Sequence, residues 1–244
     1  MYNYKLVIEY DGTDYSGWQR QKISSKTVQE TIERSLKKVT GKDITIIGAG
    51  RTDTGVHAMN QAANFKTEEK LDTKKLIYSL NSILPETITV KKISAVSNDF
   101  HARYSAKSRE YIYRISTEKK SIGGDYYSRL NYELDFGIID ELVELFKGEH
   151  SFKSLCKNKT DKHDFKCNIT QIGYKRSNRN KEIIFRITAN RFLHSMIRAL
   201  VGCMIDAGRG KIDIKTVKQK FLKGEKIKTT YLPAKGLILN KIYY

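Results

Sequence analysis

The segment Gly48-Ala-Gly-Arg-Thr-Asp-Thr-Gly55 places one carboxylate, Asp53, two residues after a cation, Arg51, in a run with three glycines. Residues 44–47 before it are apolar or β-branched, which favours a strand that ends where the run begins. Glycine gives a loop conformations closed to other residues and lets another molecule approach the main chain. A single acid beside a cation on such a loop could act as a nucleophile or a general base.

Two nucleotide-binding motifs contain similar glycines. The dinucleotide motif Gly-x-Gly-x-x-Gly, counted from Gly48, puts Asp53 at its third glycine, where a carboxylate would repel a pyrophosphate. The Walker motif requires Lys and Ser or Thr after its last glycine, but Val56 and His57 follow here. Both motifs are therefore excluded. The octet alone is equally compatible with a tight turn whose Arg51 and Asp53 form a surface ion pair.

The charge of the chain predicts an anionic partner. Its 244 residues include 45 Lys and Arg against 27 Asp and Glu, a net charge of +18, and such an excess attracts polyanions. A lysine-rich host proteome is the alternative explanation. Fifteen tyrosines and nine phenylalanines among the cations are suited to stacking on bases. No helix-turn-helix or zinc-finger motif occurs, so we expect RNA rather than duplex DNA.

Other classes of protein are disfavoured. No apolar run reaches the length of a membrane span, and the first residues show no signal-peptide core, so we expect a soluble, cytoplasmic protein. Cys156, Cys167 and Cys203 are odd in number and widely spaced, which argues against a disulfide framework. The spacing of Cys156, His163 and Cys167 matches no common zinc pattern, so we expect no metal.

The hydrophobic pattern alternates strands with helices. It predicts strands at 5–10, 44–48, 58–66, 88–96, 105–117, 169–176, 182–189 and 237–243. It predicts helices at 27–40, 73–83, 138–146, 193–208 and 214–223. The order strand–helix–strand–strand–helix–strand occurs twice. We therefore expect an α+β protein of two similar halves, residues 1–104 and 105–244, on a mostly antiparallel mixed sheet with flanking helices.

Two further segments could contribute to a site. On a strand through 105–117, Arg109, Tyr111 and Tyr113 would share one face; the alternative is a solvated strand whose tyrosines pack on a core. In the helix after Phe192, His194 and Arg198 lie four residues apart. They could form a water-facing side, or Arg198 could pair with an acid in a cleft.

Six blocks together resemble the tRNA pseudouridine synthase A family, in its order and spacing and over essentially the whole chain. They are residues 10–21, 48–58, 100–106, 109–113, 192–202 and 233–239. The resemblance implies the pseudouridine synthase fold with an active-site cleft between its halves. It implies a homodimer, without cofactor or metal, that converts uridine to pseudouridine at positions 38, 39 and 40 of the tRNA anticodon arm.

The resemblance also assigns roles to residues. It makes Asp53 the catalytic carboxylate, as nucleophile or as base, and Arg51 the residue that helps to extrude the target nucleotide. Tyr111 becomes the ring against the flipped uracil, and Arg198 the cation paired with the acid. Arg103 and His57, which lie in matching blocks, join the substrate-binding set.

Two positions depart from the family pattern. Ser151 stands where the family often has Asp in a Gly-x-His-Asp-Phe segment, and Leu232 stands where it has a small residue before proline. Both lie outside the assigned catalytic set and point to a shifted substrate preference. The rival functions are an RNA-binding module without catalysis and a glycosidase-type hydrolase. The hydrolase requires a second carboxylate, for which Asp11 and Asp14 are the candidates.

Overall fold

The structure is a computed structural model that describes residues 1–21, 26–157, 164–179 and 181–244. It contains two compact units, one of residues 1–109 with 238–244 and the other of residues 110–237. The division expected from the sequence lay at residues 104 and 105, whereas the structural boundary falls between Arg109 and Glu110. The final strand belongs to the first unit because its backbone bonds to the strand that begins at His57.

The secondary structure follows the alternation of strands and helices that the sequence predicts. The strands are β1 (Tyr2–Tyr10), β2 (Ile47–Gly48), β3 (His57–Thr67), β4 (Ile88–Val96), β5 (Ser108–Ser116), β6 (Ser128–Arg129), β7 (Gly148–Ser151), β8 (Lys166–Ser177), β9 (Glu182–Ala189) and β10 (Leu237–Tyr243). The α-helices are α1 (Val28–Thr40), α2 (Thr73–Ile83), α3 (Phe136–Phe146), α4 (Met196–Gly208) and α5 (Ile214–Lys223).

The first unit is a sheet with the strand order β4-β1-β3-β10, and β2 also pairs with β3. Strand β1 runs antiparallel to β3 and β4, whereas β10 runs parallel to β3. Helix α1 begins at Thr27, whose hydroxyl accepts from the backbone of Glu30, and ends at Gly41 with φ +72°. The helix buries Val28, Ile32 and Leu36, an i, i+4, i+8 stripe.

The second unit has the strand order β5-β9-β8-β7, and β6 pairs in parallel with β5. Strand β8 is antiparallel to both β7 and β9. Helix α4 is buried along almost its whole length, as expected of a helix that is apolar on all sides. The first strand of the first unit, β1, lies between β4 and β3, whereas the first strand of the second unit, β5, lies beside β9 and also pairs with its successor β6. The α+β class and the mostly antiparallel mixed sheet are therefore confirmed.

Among the predicted elements that are shorter than expected, two have identifiable local causes. The strand predicted over 44–48 contains only residues 47–48, because the backbone N–H of Ile46 donates to the Glu33 side chain at 3.0 Å and not to a neighbouring strand. The helix predicted from Leu193 begins at Met196, because Ser195 has φ +55°, in the left-handed region. His194 therefore lies before the helix, and the predicted His194–Arg198 pair on one helix is wrong.

In the part of the chain that the structure describes, no helix combines the length and the hydropathy needed to span a bilayer.

Gly202 tests the packing of α4. A Cβ atom at this position would lie 1.8 Å from the backbone oxygen of Thr230, so the substitution Gly202→Ala must displace the main chain. We expect Gly202→Ala to lower the free energy of unfolding by about 3 kcal/mol in denaturant titration. Gly210→Ala is the matched control: its φ is +73° but its surroundings are open, so we expect a loss of about 1 kcal/mol. Equal losses would contradict the packing argument.

Candidate active site

The loop that carries Asp53 runs from Ala49 to Val56, between β2 and β3. Its start is fixed by a hydrogen bond from Ala49 N to Ala62 O at 2.8 Å, and the Gln61 side-chain amide donates to Gly50 O at 3.0 Å. Its end is a turn in which Val56 N donates to Asp53 O at 3.1 Å. The half-buried Asp53 is thus held by backbone bonds on both sides.

A second segment, residues 10–18, lies directly against this loop. The hydroxyls of Tyr10 and Thr52 are 2.8 Å apart, and Trp18 N donates to Thr52 O at 3.2 Å. Gly55 N donates to Tyr15 O at 3.3 Å. Tyr10, Tyr15 and Trp18 are all buried, so these bonds are shielded from water. Residues 10–21 and 48–58, two of the blocks that resemble the family, are therefore packed together.

The close approach of residues 10–18 to the loop that carries Asp53 depends on two glycines within residues 10–18. A Cβ on Gly12 would lie 2.0 Å from Val56 O, and one on Gly17, which has φ +90°, would lie 2.6 Å from Thr52 O. Gly50 differs, because a Cβ there would meet no atom within 4 Å and its φ is not positive. No neighbouring atom of the described residues therefore requires a glycine at position 50. The space beside Gly50 is open to another molecule.

Arg51 is exposed and is oriented by a chain of side chains. Its Nε donates to Gln19 Oε1 at 3.2 Å, and the Gln19 amide donates to Gln29 Oε1 at 2.8 Å. Gln29 in turn donates to the buried carboxylate of Glu33 at 2.9 Å. Gln19, Gln29 and Glu33 were missed by the sequence analysis. The detectable signal was the pair Gln29 and Glu33 beside the apolar stripe of α1, four residues apart on one face.

Arg109 connects three stretches of backbone in the first unit. Its guanidinium donates to the carbonyl oxygens of Ala49 at 3.1 Å, Arg103 at 2.7 Å and Ala106 at 3.0 Å. The loop that carries Asp53 and the turn that carries the exposed Arg103 are therefore fixed to one side chain. These bonds also explain why the strand predicted from residue 105 begins at Ser108.

His57 lies at the start of β3 and is only 3% exposed. Its Nδ1 accepts from Gly12 N at 3.1 Å and lies 3.0 Å from an Asp11 carboxylate oxygen. Asp11 also accepts from the backbone and the hydroxyl of Thr13, at 2.9 and 2.6 Å. These contacts fix the turn at residues 11–13. A substrate-binding role for His57 stays a prediction.

Tyr111 belongs to the second unit and lies on β5. Its ring meets the ring of Phe192 edge to face, with centroids 5.2 Å apart, and it is 8% exposed. Tyr113 is fully buried and its hydroxyl donates to Pro233 O at 2.7 Å. Burial raises the pKa of the Tyr113 hydroxyl well above its usual range. Glu110 and Ile112, which alternate with the tyrosines, are also buried, so the strand is not solvated, whereas its tyrosines do pack in the core as that alternative expected.

Arg198 lies on α4, in its first turn, and is half-buried. Its Nε donates to the carbonyl oxygen of Leu232 at 2.6 Å, and Leu232 N donates back to Arg198 O at 3.4 Å. Leu232, one of the two departures from the family pattern, is thus bonded to a residue of the assigned site. Ser151, the other departure, is exposed at the end of β7.

Asp206 holds the segment that leads to Leu232. This carboxylate is 1% exposed and accepts from Thr230 N at 2.7 Å, from the Thr230 hydroxyl at 3.2 Å and from Arg209 at 2.7 Å. Burial alone would raise the pKa of Asp206, but these hydrogen bonds and the Lys211 charge outweigh it and lower the pKa. Asp206 was also missed by the sequence analysis, since its polar side chain lies within an apolar helix.

Among the residues that the structure describes, no group of three or more His, Cys, Asp or Glu side chains is placed to hold a metal ion. Cys156 and Cys167 are both buried. Burial raises the pKa of the Cys167 thiol to about 11. His163, the third residue of the zinc pattern considered above, lies outside the described residues.

Known proteins place this chain in a family. A family model described as tRNA pseudouridine synthase matches residues 6–105 and 142–244. The tRNA pseudouridine synthase A of Caldicellulosiruptor saccharolyticus is 41% identical over 254 residues, with 100% of both chains covered. That of Chlorobaculum tepidum is 40% identical over 241 residues, with 98% of this chain and 97% of the relative covered. The chain therefore belongs to the tRNA pseudouridine synthase family, and the resemblance found in the motif blocks is confirmed.

Asp206→Asn tests how Asp206 holds Thr230 and the segment that leads to Leu232, the residue bonded to Arg198. The folded protein lowers the pKa of Asp206 below its ordinary value of 3.8, so its ionised form stabilises the fold above that pH, and the stabilisation is lost as pH falls through the lowered pKa. We expect Asp206→Asn to cost about 2 kcal/mol of unfolding free energy at pH 7. Denaturant titrations between pH 7 and 3 should show this deficit shrinking below pH 4. The exposed Asp43→Asn is the control, with an expected change under about 0.5 kcal/mol. A deficit independent of pH would contradict the assignment.

Proposed function

We propose that this protein converts uridine to pseudouridine at positions 38, 39 and 40 in the anticodon arm of tRNA, with Asp53 as the catalytic carboxylate. The observation that carries the proposal is Asp53 itself: one acid on a loop fixed by residues 10–18 and open at Gly50, in a chain of the tRNA pseudouridine synthase family. The net charge of +18 suits a polyanionic substrate.

The reaction needs few protein groups. The C1′–N1 bond of the uridine breaks, the uracil rotates while bound, and C1′ rejoins the base at C5; C5 loses a proton and N1 gains one, so the product is an isomer. Asp53 acts either as the nucleophile that attacks C1′ or as the base that removes a proton. A carboxylate fixed by its own backbone is preorganised for either step, because it does not have to reorient when the substrate arrives.

Arg51 is placed to assist the extrusion of the target base from the RNA. Extruding a base costs a few kcal/mol, and less in a loop or at a stem end. The exposed guanidinium of Arg51 is directed by the neutral amide oxygen of Gln19, so this contact leaves its charge available to a phosphate or to the space left by the base. Arg103, also exposed, provides a further cation for the RNA backbone.

We assign Tyr111 and Arg198 of the second unit to the same uridine. An aromatic ring can hold a detached uracil against escape while it rotates. The edge-to-face contact with Phe192 supports the Tyr111 ring, and Leu232 O directs the Arg198 guanidinium, so both side chains are oriented before substrate binds. Because Arg198 is bonded to Leu232, the unusual residue at 232 is a candidate cause of altered substrate preference.

The two rival functions have weaker support. A glycosidase-type hydrolase requires a second carboxylate free to act as an acid or base. Asp11 is committed to the turn at residues 11–13, and Asp14 is an exposed residue 3.8 Å from Lys26. An RNA-binding module without catalysis has no use for a fixed acid where phosphates are expected.

Asp53→Asn is the direct test of the catalytic assignment. The amide keeps the size of the side chain but removes its charge, so we expect at least a thousandfold loss of pseudouridine formation, in the range of a lost general base or nucleophile. The measurement is chemical mapping of pseudouridine in unmodified tRNA, with tRNA binding followed in parallel and expected to stay within about threefold. The control Asp14→Asn changes an exposed acid of the first unit and should leave the protein active. A fully active Asp53→Asn would mean that another acid is responsible.

The resemblance also carries proposals on metal, quaternary structure and location. We propose that the enzyme is a cytoplasmic homodimer that needs no metal or cofactor. Dialysis against a strong chelator should then leave the rate of pseudouridine formation within about twofold, as expected for catalysis by side chains alone. Sedimentation velocity at micromolar concentration should give a species of twice the 28.1 kDa chain mass. Inactivation by the chelator that zinc restores, or a single 28.1 kDa species, would contradict the respective proposal.

A further inference from the structure

The turn at residues 101–106, which we name the Tyr104 turn, presents an aromatic ring to solvent. The Tyr104 side chain is 78% exposed, and its ring centroid lies 4.3 Å from that of His101 at an interplanar angle of 33°. The Arg103 guanidinium lies 5.8 Å from the centre of the same ring. One large ring is therefore exposed with an aromatic neighbour and a cation beside it.

The Tyr104 turn is held in one conformation by its own hydrogen bonds. Nδ1 of His101 accepts from the backbone N–H groups of Arg103 and Tyr104, both at 3.2 Å. Ser105 N donates to His101 O at 2.9 Å, and His101 N donates to the Ser105 hydroxyl at 3.1 Å. The buried Ala102 donates to Asn64 at 2.8 Å and attaches the turn to β3. The backbone that carries the exposed ring is thus preorganised.

The same turn is tied to the loop that carries Asp53. The Arg109 guanidinium donates to Arg103 O at 2.7 Å in the turn and to Ala49 O at 3.1 Å at the start of the loop. One planar guanidinium therefore bridges the turn that carries the exposed Tyr104 and the loop that carries Asp53. An RNA that places its target uridine at Asp53 meets the Tyr104 ring at a fixed offset.

We propose that Tyr104 is a stacking platform for an unpaired base of the RNA substrate, other than the uridine that is isomerised. A tyrosine ring stacks on any base whose face is free, and bases in a helix have both faces covered, so the occupant is a nucleotide of a single-stranded loop. Arg103 beside the ring provides a contact for the adjoining phosphate. The inference rests on the proposed function, because that function supplies an RNA with a loop.

The test compares matched variants of the full chain with an unmodified tRNA transcript as the probe. Tyr104→Ala should weaken binding about 5- to 100-fold, the range for loss of one base–aromatic stack. Tyr104→Phe keeps the ring and should bind within about twofold of the parent. Tyr78 is the matched control, because it is an equally exposed tyrosine (77%) but lies on α2; Tyr78→Ala should also bind within about twofold.

A second measurement identifies the kind of contact. Abasic substitutions are placed one at a time in the anticodon loop of the transcript. One of them should weaken binding to the parent protein but cause no further loss with Tyr104→Ala, because ring and base then account for the same interaction. The slope of the logarithm of the binding constant against the logarithm of the salt concentration should be unchanged in Tyr104→Ala. In Arg103→Gln the magnitude of this slope should fall by about 0.7 to 0.9, because one phosphate contact is lost.

Three results would overturn the platform. The first is unchanged tRNA binding by Tyr104→Ala. The second is an equal loss of binding affinity in Tyr78→Ala and Tyr104→Ala. The third is that every abasic substitution lowers the affinity of Tyr104→Ala as much as it lowers that of the parent. An unfolding curve of Tyr104→Ala that matches that of the parent excludes a folding defect. Normal binding by Tyr104→Phe shows separately that a substitution at position 104 is tolerated when the ring is kept. If the parent protein makes no pseudouridine, the proposed function fails while these binding measurements still decide on Tyr104. If it does and Tyr104→Ala binds normally, only the platform fails.

Discussion

The backbone of residues 10–18 lies in direct contact with the backbone of the loop that carries Asp53. Gly12 and Gly17 meet the carbonyl groups of Val56 and Thr52 at distances that leave no room for a side chain. Hydrogen bonds from this segment, shielded by Tyr10, Tyr15 and Trp18, then fix the loop from one side. In the proposed function, this fixed position is what makes Asp53 reactive, since little conformational freedom is left to lose when the substrate binds.

A second principle recurs in both units: an arginine of the proposed site donates to a neutral oxygen, and a buried acid holds the segment or side chain that carries this oxygen. In the first unit, Arg51 donates to Gln19, and the chain of amides ends at Glu33. In the second unit, Arg198 donates to Leu232 O, and Asp206 fixes the preceding Thr230. A neutral acceptor orients a guanidinium without cancelling its charge. The buried acids keep their own hydrogen-bond partners, which is how a fold can tolerate them.

Much of this arrangement could be predicted from the sequence. Strand β4 and helix α2 have the expected bounds, because their apolar periodicity and the Asp72 cap are local signals. Asp53, Arg51, Tyr111 and Arg198 were singled out because their motif blocks resemble a known family. The supporting residues could not be predicted in this way. Gln19 accepts from the Arg51 guanidinium, Arg109 donates to the Ala49 carbonyl and Asp206 accepts from the Thr230 backbone, and a pattern of residue types does not record such distant partners.

The central claim is that the fixed loop presents Asp53 to a uridine that has left the base stack of the tRNA. The most direct measurement is a crystal structure of the protein bound to an anticodon-arm RNA. The account predicts the target uridine outside the stack, with an Asp53 carboxylate oxygen within about 3.5 Å of the sugar carbon or base atom on which it acts, the separation of a near-attack geometry. A uridine that remains stacked in the RNA, or one that is extruded into a site lined by a different acid, would contradict it.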